Sequence, residues 1–349
     1  MCTGIFARMR TLLLPALLIC GLSSMAQDRV ADREAKVRAW LARGKAYKAI
    51  AQCDAMLGAK PEPRFHVLRA EALNRIGEHE KALRDAWSAV QHFPGLAEAY
   101  HEMGVAEQGL VLGDSAETHL RAAIALKDRP DTRQRLAAVL MMRSDHPGAL
   151  AQLDTAARAL PTGSAALASV ERARGECLAS AGDTVAARAA FDRALAIAPD
   201  DPVTYNSRGW FLHALHGHHA AAVADYDRAI RLNPNYSYAF NNRGWSRYRM
   251  GDVEKGLADI EKARRRKVFN PYIYRNLGVI ALERGERQRA CEQFRKALAY
   301  GFTERFGNEV KYLAATASTG ADNGLTPVQA PNAPLSAPTK NTPVRNNAP

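Results

Sequence analysis

Asp225-Tyr226-Asp227-Arg228-Ala229-Ile230-Arg231-Leu232-Asn233-Pro234 is the stretch whose reading decides the architecture. With Ala222 just ahead of it, Tyr226 and Ala229 fall at i, i+4 and i+7, the spacing that places side chains on one face of a helix. Pro234 ends that helix, because proline has no amide hydrogen and clashes with the preceding turn. The same arrangement stands earlier in Ala187, Phe191, Ala194, Leu195 and Pro199. Working outward, an alanine recurs at Ala89, Ala123, Ala156, Ala194, Ala229, Ala263 and Ala297, at intervals of 33, 34 or 35 residues in all but one case. A second column, Ala49, Ala82, Ala116, Ala149, Ala187, Ala222, Gly256 and Ala290, runs seven residues ahead of the first, whose earliest member is Met56. Two columns in step give eight copies of a helical hairpin, none able to bury its apolar face alone.

The composition points the same way. It is 47% hydrophobic but only 7% aromatic, and Ala, Leu and Arg dominate, which favours helices over strands. The repeats are placed at 30–62, 63–96, 97–129, 130–163, 168–201, 202–236, 237–270 and 271–304. In the fifth, a first helix around Gly175 leads through a Gly182-Asp183 turn into the second. Repeat six follows suit with Tyr205, Gly209, Leu212 and Gly217, and carries one inserted residue near His216. Small residues recur where neighbouring helices must approach to roughly 8–10 Å.

These residues resemble the tetratricopeptide repeat, whose 34-residue pattern sets Trp or Tyr, Leu-Gly and Tyr on the first helix, then Ala, Phe or Tyr, Ala and Pro. The resemblance covers residues 30 to about 304. It implies an all-α fold, a right-handed superhelical solenoid over residues 27–317 with a C-terminal capping helix. At the front it is degenerate: Val37 and Ala70 stand where the family has Gly, and repeat three has Val111 in place of the turn glycine. Between repeats four and five the alanine interval stretches to 38 residues, with Thr162-Gly163-Ser164 in the excess. A longer loop explains it; a break dividing the solenoid into two arms would too.

The chain ends carry other signals. Arg8 and Arg10 precede an apolar run from Leu12 to Cys20, and Ser24-Met25-Ala26 supplies the small residues read by a signal peptidase. Export, to the periplasm or beyond the cell, with cleavage after Ala26 is the expectation; the apolar run is too short to span a bilayer. Cys53, Cys177 and Cys291 then remain, several repeats apart and beyond disulfide reach. A capping helix is expected over 303–317, with Thr303 as N-cap and Phe306, Val310 and Leu313 on its apolar side. Residues 318–349, rich in Pro and Asn with few large apolar side chains, are expected to be disordered.

No phosphate-cradling glycine loop, nucleophile elbow, paired cysteines or metalloprotease helix occurs, and the repeats leave no room for a catalytic domain. A non-enzymatic protein without cofactor is expected. His213, His216, His218 and His219 form the one ligand-type cluster, at the helix-turn-helix corner of repeat six. It reads either as a solvated turn or as a weak surface metal site.

Charge is concentrated late in the chain. Residues 237–304 hold 15 basic and 8 acidic side chains, including the run Arg264-Arg265-Arg266-Lys267. Cations at a helix C-terminus account for the run, less well for Arg247, Arg249 and Arg275. The resemblance implies a concave groove lined by the first helix of each repeat. Its contact positions map onto Asn206, Trp210 and His213 of repeat six, Tyr238, Asn241, Asn242, Trp245, Tyr248 and Arg249 of repeat seven, and Tyr272, Arg275 and Asn276 of repeat eight. Asn can bracket a peptide backbone, aromatics give contact area at low entropic cost, and Arg can hold a carboxylate bidentately. A protein or peptide partner of acidic character is the expected ligand. Binding of a polyanion, nucleic acid or acidic polysaccharide, through the basic late repeats is the alternative.

Overall fold

The structure, a computed structural model, describes residues 30–59, 62–266, 270–300 and 309–319. The signal segment, Thr303, Phe306 and residues 320–349 of the Pro-rich tail lie outside the described residues, whereas residues 318 and 319, expected to be disordered with that tail, are helical. All regular structure among the described residues is helical. Consecutive helices pair into hairpins: α1 (30–42) with α2 (Ala46–Ala59), α3 (Pro63–Ile76) with α4 (His79–His92), and α5 (Ala97–Gly109) with α6 (Gly113–Leu126). The series continues with α7 (Pro130–Met142) and α8 (His146–Arg158), then α9 (Ala165–Ser180) and α10 (Thr184–Ile197). Repeat six pairs α11 (Pro202–Arg208) with α12 (His219–Leu232), repeat seven α13 (Ser237–Arg249) with α14 (Val253–Arg265), and repeat eight α15 (Pro271–Glu283) with α16 (Arg287–Ala299). A last helix, α17 (Glu309–Thr319), follows.

The described chain forms two compact units, one up to Glu102 and one from Met103 onward. In the first, Val37, Leu41, Cys53, Phe65 and Leu68 form the core. Val37 is fully buried there and Ala70 likewise, so these hairpins leave room for a side chain where a glycine was expected. In the second unit, the two alanine columns are buried throughout, from Ala116 and Ala123 to Ala290 and Ala297. The first-helix glycines show why the spacing is strict. A Cβ on Gly175 would stand 2.9 Å from the Phe191 ring, and one on Gly209 2.8 Å from the Tyr226 ring. Val310, Leu313 and Ala317 of α17 join the core of the last repeats, the role expected of a cap.

The long loop between α8 and α9 does not divide the molecule. Ser164 caps α9 by accepting from the Leu167 amide at 3.2 Å, and one core continues across it from Leu153 and Ala156 to Val170 and Cys177. The turn in repeat three is tighter than its sequence invites: Val111 takes φ +63°, the left-handed conformation that glycine holds in most of the other hairpins.

A second regularity crosses the repeats. Arg69, Arg208 and Arg243 occupy one position of their first helices, next to the glycine position. Each forks onto an aspartate of its own second helix and reaches a second aspartate of the preceding repeat. Arg208 holds Asp225 at 2.7 and 3.0 Å and Asp192 at 3.2 Å. Arg243 holds Asp259 at 2.7 Å twice and Asp227 at 2.6 Å. Arg69 does the same with Asp85 and Asp54. The bidentate pair ties the two helices of one hairpin, and the third bond clamps that hairpin to its predecessor.

Candidate functional site

The groove residues read from the sequence come from α11, α13 and α15 and the turn after α11. The four amides were expected to face a ligand. Instead they are buried and hold one another. Asn276 donates to Asn241 at 3.2 Å, Asn241 to Asn242 at 3.2 Å, and Asn242 to Asn206 at 3.1 Å. Arg275 donates to Asn276 at 3.1 Å. It was expected to hold a partner's carboxylate, yet its guanidinium forks onto Glu309 of the cap helix, with Nε 3.2 Å from Oε2. Buried amides and a buried guanidinium must find partners inside the protein when water is excluded, and here they find each other.

The ladder extends beyond the residues singled out from the sequence. Arg172 donates to Glu176 at 2.7 Å, Ser207 to Glu176 at 2.7 Å, and both Arg172 and Gln134 reach the Ser169 hydroxyl, at 3.2 and 2.9 Å. Ser207 adjoins Asn206, so polar groups run through the first helices of repeats four to eight. Arg172 and Glu176 hold the same first-helix positions as Asn206 and Trp210. Carrying the groove positions back one repeat would have found them.

Trp210, Trp245 and Tyr272 are also buried. The Arg275 guanidinium lies 5.1 Å and that of Arg249 5.7 Å from the Trp245 ring centre. Trp210 Nε1 is buried with no hydrogen-bond partner among the described residues. His213, Tyr238 and Tyr248 are partly exposed and Arg249 exposed. Tyr248 donates to Glu283 at 2.5 Å, and Arg249 reaches the same carboxylate at 3.4 Å.

The inserted residue of repeat six is absorbed in the helix itself. Gly209–His213 forms a π-helical turn, with the Ala214 amide reaching back to the Gly209 carbonyl, before a short 3-10 turn at Ala214–His216. A π turn accommodates one extra residue without losing the core register, and such turns recur at functional sites. The four histidines at this corner are not gathered into a metal-ligand group; none exists among the described residues. His213 turns toward Asp225 at 3.6 Å while His216 and His218 face solvent. Burial holds His213 and His219 below the usual histidine range, with Arg208 and Arg249 respectively adding to the effect.

The basic excess is largely committed within the chain. Arg243 and Arg247 share Asp259, and Arg264 holds Glu261. Arg266 donates to the Lys262 and Pro234 carbonyls at 2.7 Å and lies 4.1 Å over the Phe240 ring. Among the described residues, no helix is long and apolar enough to cross a membrane.

Comparison with known proteins agrees with this architecture. Residues 135–202 and 241–303 match the family model of the tetratricopeptide repeat. A chain of the crystal structure of the APC/C hetero-tetramer Cut9–Hcn1 is similar in fold, with a TM-score of 0.57 over 81% of this chain and 54% of its own, at 15% identity. The chain thus spans about half the length of that relative. A tetratricopeptide repeat protein from Parabacteroides merdae gives a TM-score of 0.57 over 74% of this chain and 99% of its own, at 16% identity. No curated protein matches the sequence. The hairpins within those two stretches match the tetratricopeptide repeat model, and the chain shares the helical-hairpin fold of the structures it resembles.

Proposed function

We propose that this protein is an exported, non-enzymatic scaffold that holds a partner polypeptide along the first helices of repeats four to eight. One observation carries the reading: two polar runs, Gln134–Ser169–Arg172–Glu176–Ser207 and Asn206–Asn242–Asn241–Asn276–Arg275, which meet at the adjacent Ser207 and Asn206 and are buried from Arg172 onward. Burying amides and guanidinium groups is costly, and apolar side chains of similar size would stack the same helices at least as well. A fixed row of polar groups makes sense as a preorganised base for a ligand, since its members need no reordering on binding. His213, Tyr238, Tyr248 and Arg249, at its accessible edge, supply the direct contacts.

Because Arg275 and Arg249 already engage Glu309 and Glu283, an acidic partner would have to compete with these carboxylates. Recognition therefore rests on aromatic surface and backbone hydrogen bonding more than on charge. Arg243 and Arg247, held on the buried Asp259, are likewise withdrawn from any polyanion contact.

The test is capture of partners by the protein from its native exported fraction, beside a variant with Asn241, Asn242 and Asn276 all replaced by leucine and a second with Tyr238 and Tyr248 replaced by alanine. Both variants are expected to keep their helical circular dichroism and lose the captured proteins. If both retain them, the groove is not the binding surface. N-terminal sequencing of the secreted protein checks export separately, with Gln27 expected as its first residue.

A further inference from the structure

The arginine clamp that joins repeats two, six and seven to their predecessors is missing in repeat eight. Where Arg208 and Arg243 stand, repeat eight has Leu277; where Asp225 and Asp259 stand, it has Gln293; only the preceding repeat's acid is kept, as Glu261. All three line a half-open cleft of about 520 Å³ between α14, α15 and α16. The space lies where repeats two, six and seven hold their clamp.

The lining of this cleft is amphipathic. Leu257, Leu277 and the Tyr274 ring supply apolar surface, and Tyr274 is stacked on Tyr300 at 5.1 Å between ring centres. Its hydroxyl stays neutral, because burial and a hydrogen bond with Tyr300 push it up to about 12. Arg264, Arg289 and Lys296 also line the cleft, against Glu261 as the single acid. Each cation has a local partner: Arg264 holds Glu261, Arg289 holds Glu286 at 2.9 Å, and Lys296 holds Glu292 at 2.6 Å. These pairs are solvent-exposed, so exchanging one carboxylate for another costs little. A lining of three exchangeable cations to one acid around an apolar recess of this size fits one apolar side chain flanked by carboxylates.

We infer that the cleft between repeats seven and eight is a second docking site, taking an acidic peptide segment that inserts one apolar side chain against Leu257, Leu277 and Tyr274. It is separate from the proposed groove, which uses other faces of the first helices. Its occupant completes the junction that an arginine clamps elsewhere in the chain.

Fluorescence anisotropy tests this with a fluorescein-labelled hexapeptide carrying one leucine flanked by glutamates, its leucine-to-glycine counterpart, and a lysine-flanked control. The leucine peptide is expected to bind the full chain at least about tenfold more tightly than either control. Leu277→Arg, which restores the clamp to Glu261 and fills the recess, should lower that affinity about tenfold or more. Arg289→Glu, on an exposed side chain that folding does not need, should do the same if Leu277→Arg proves unstable by thermal melting. Tyr238→Ala, at the accessible edge of the groove, should leave peptide binding unchanged. Equal binding of the leucine and glycine peptides, no binding to the unmodified chain, or undiminished binding to Arg289→Glu would overturn the inference. Loss of binding with Tyr238→Ala alone would assign the peptide to the groove instead.

Discussion

Arg243 grips Asp259 with two parallel hydrogen bonds, Nε to Oδ2 and Nη2 to Oδ1, both 2.7 Å. Asp259 is 1% exposed and takes a third bond from Arg247, also at 2.7 Å. The aspartate is the hub, because its loss leaves two partly buried guanidinium groups without their shared acceptor. Asp259→Ala should therefore destabilise the protein by about 3 kcal/mol. Arg243→Leu should cost less, since Arg247 still pairs the carboxylate and Leu277 shows the position accepts leucine. Urea denaturation of the two single variants and the double variant measures this. Equal costs would remove Asp259 from the central role.

Val111 holds a left-handed turn, at φ +63°, that a β-branched side chain resists because its Cβ crowds the following carbonyl. Glycine takes that conformation freely. Val111→Gly is expected to raise stability by about 1 kcal/mol, part of the relieved strain being offset by the freer unfolded chain. A thermal melt that falls instead would mean the Val111 side chain contributes more by packing than it loses to strain.

Some of this was legible in the sequence and some was not, for a physical reason. The alanine columns and the first-helix glycines are periodic because each repeat solves the same packing problem, so spacing alone located the hairpins. The Arg243–Asp259 clamp left only a broken trace, its arginine and aspartate recurring together in repeats two, six and seven. Its partners lie 16 residues apart on different helices, and the second acceptor, Asp227, belongs to the preceding repeat. Each looks like ordinary surface charge until the helices are packed. The asparagines show the opposite case. Their positions were readable, but whether an amide faces a ligand or its neighbour depends on how closely successive first helices approach. Asn241 and Asn276 are near enough to bond to each other.

Gly244 and Gly256 mark the tightest approach of two helices in repeat seven. A Cβ at Gly244 would lie 2.6 Å from the Gly256 carbonyl oxygen, and backbone cannot swing aside as a ring can. Gly244→Ala should cost about 2–3 kcal/mol by forcing α13 and α14 apart. Gly95→Ala, where nothing lies within 4 Å of the added carbon, should stay within about 0.5 kcal/mol of the unmodified chain. Chemical denaturation of the pair separates a packing requirement from a general intolerance of alanine.

The three described cysteines should differ sharply in reactivity. Cys53 and Cys177 are free and buried, and burial pushes both thiols up to about 12, whereas Cys291 is partly exposed beside Ser318 at 3.5 Å. The thiolate is the nucleophile, so at pH 8.5 the two buried groups are almost wholly protonated as well as inaccessible. In the unfolded chain they titrate near 9. The folded state thus holds their protons more tightly, and that contribution to stability is complete below pH 9 and declines as pH rises toward 12. Iodoacetamide at pH 8.5 should label Cys291 first, with Cys53 and Cys177 modified only after urea is added. Their prompt labelling in the native protein would show that the hairpin cores holding them open on the timescale of the reaction.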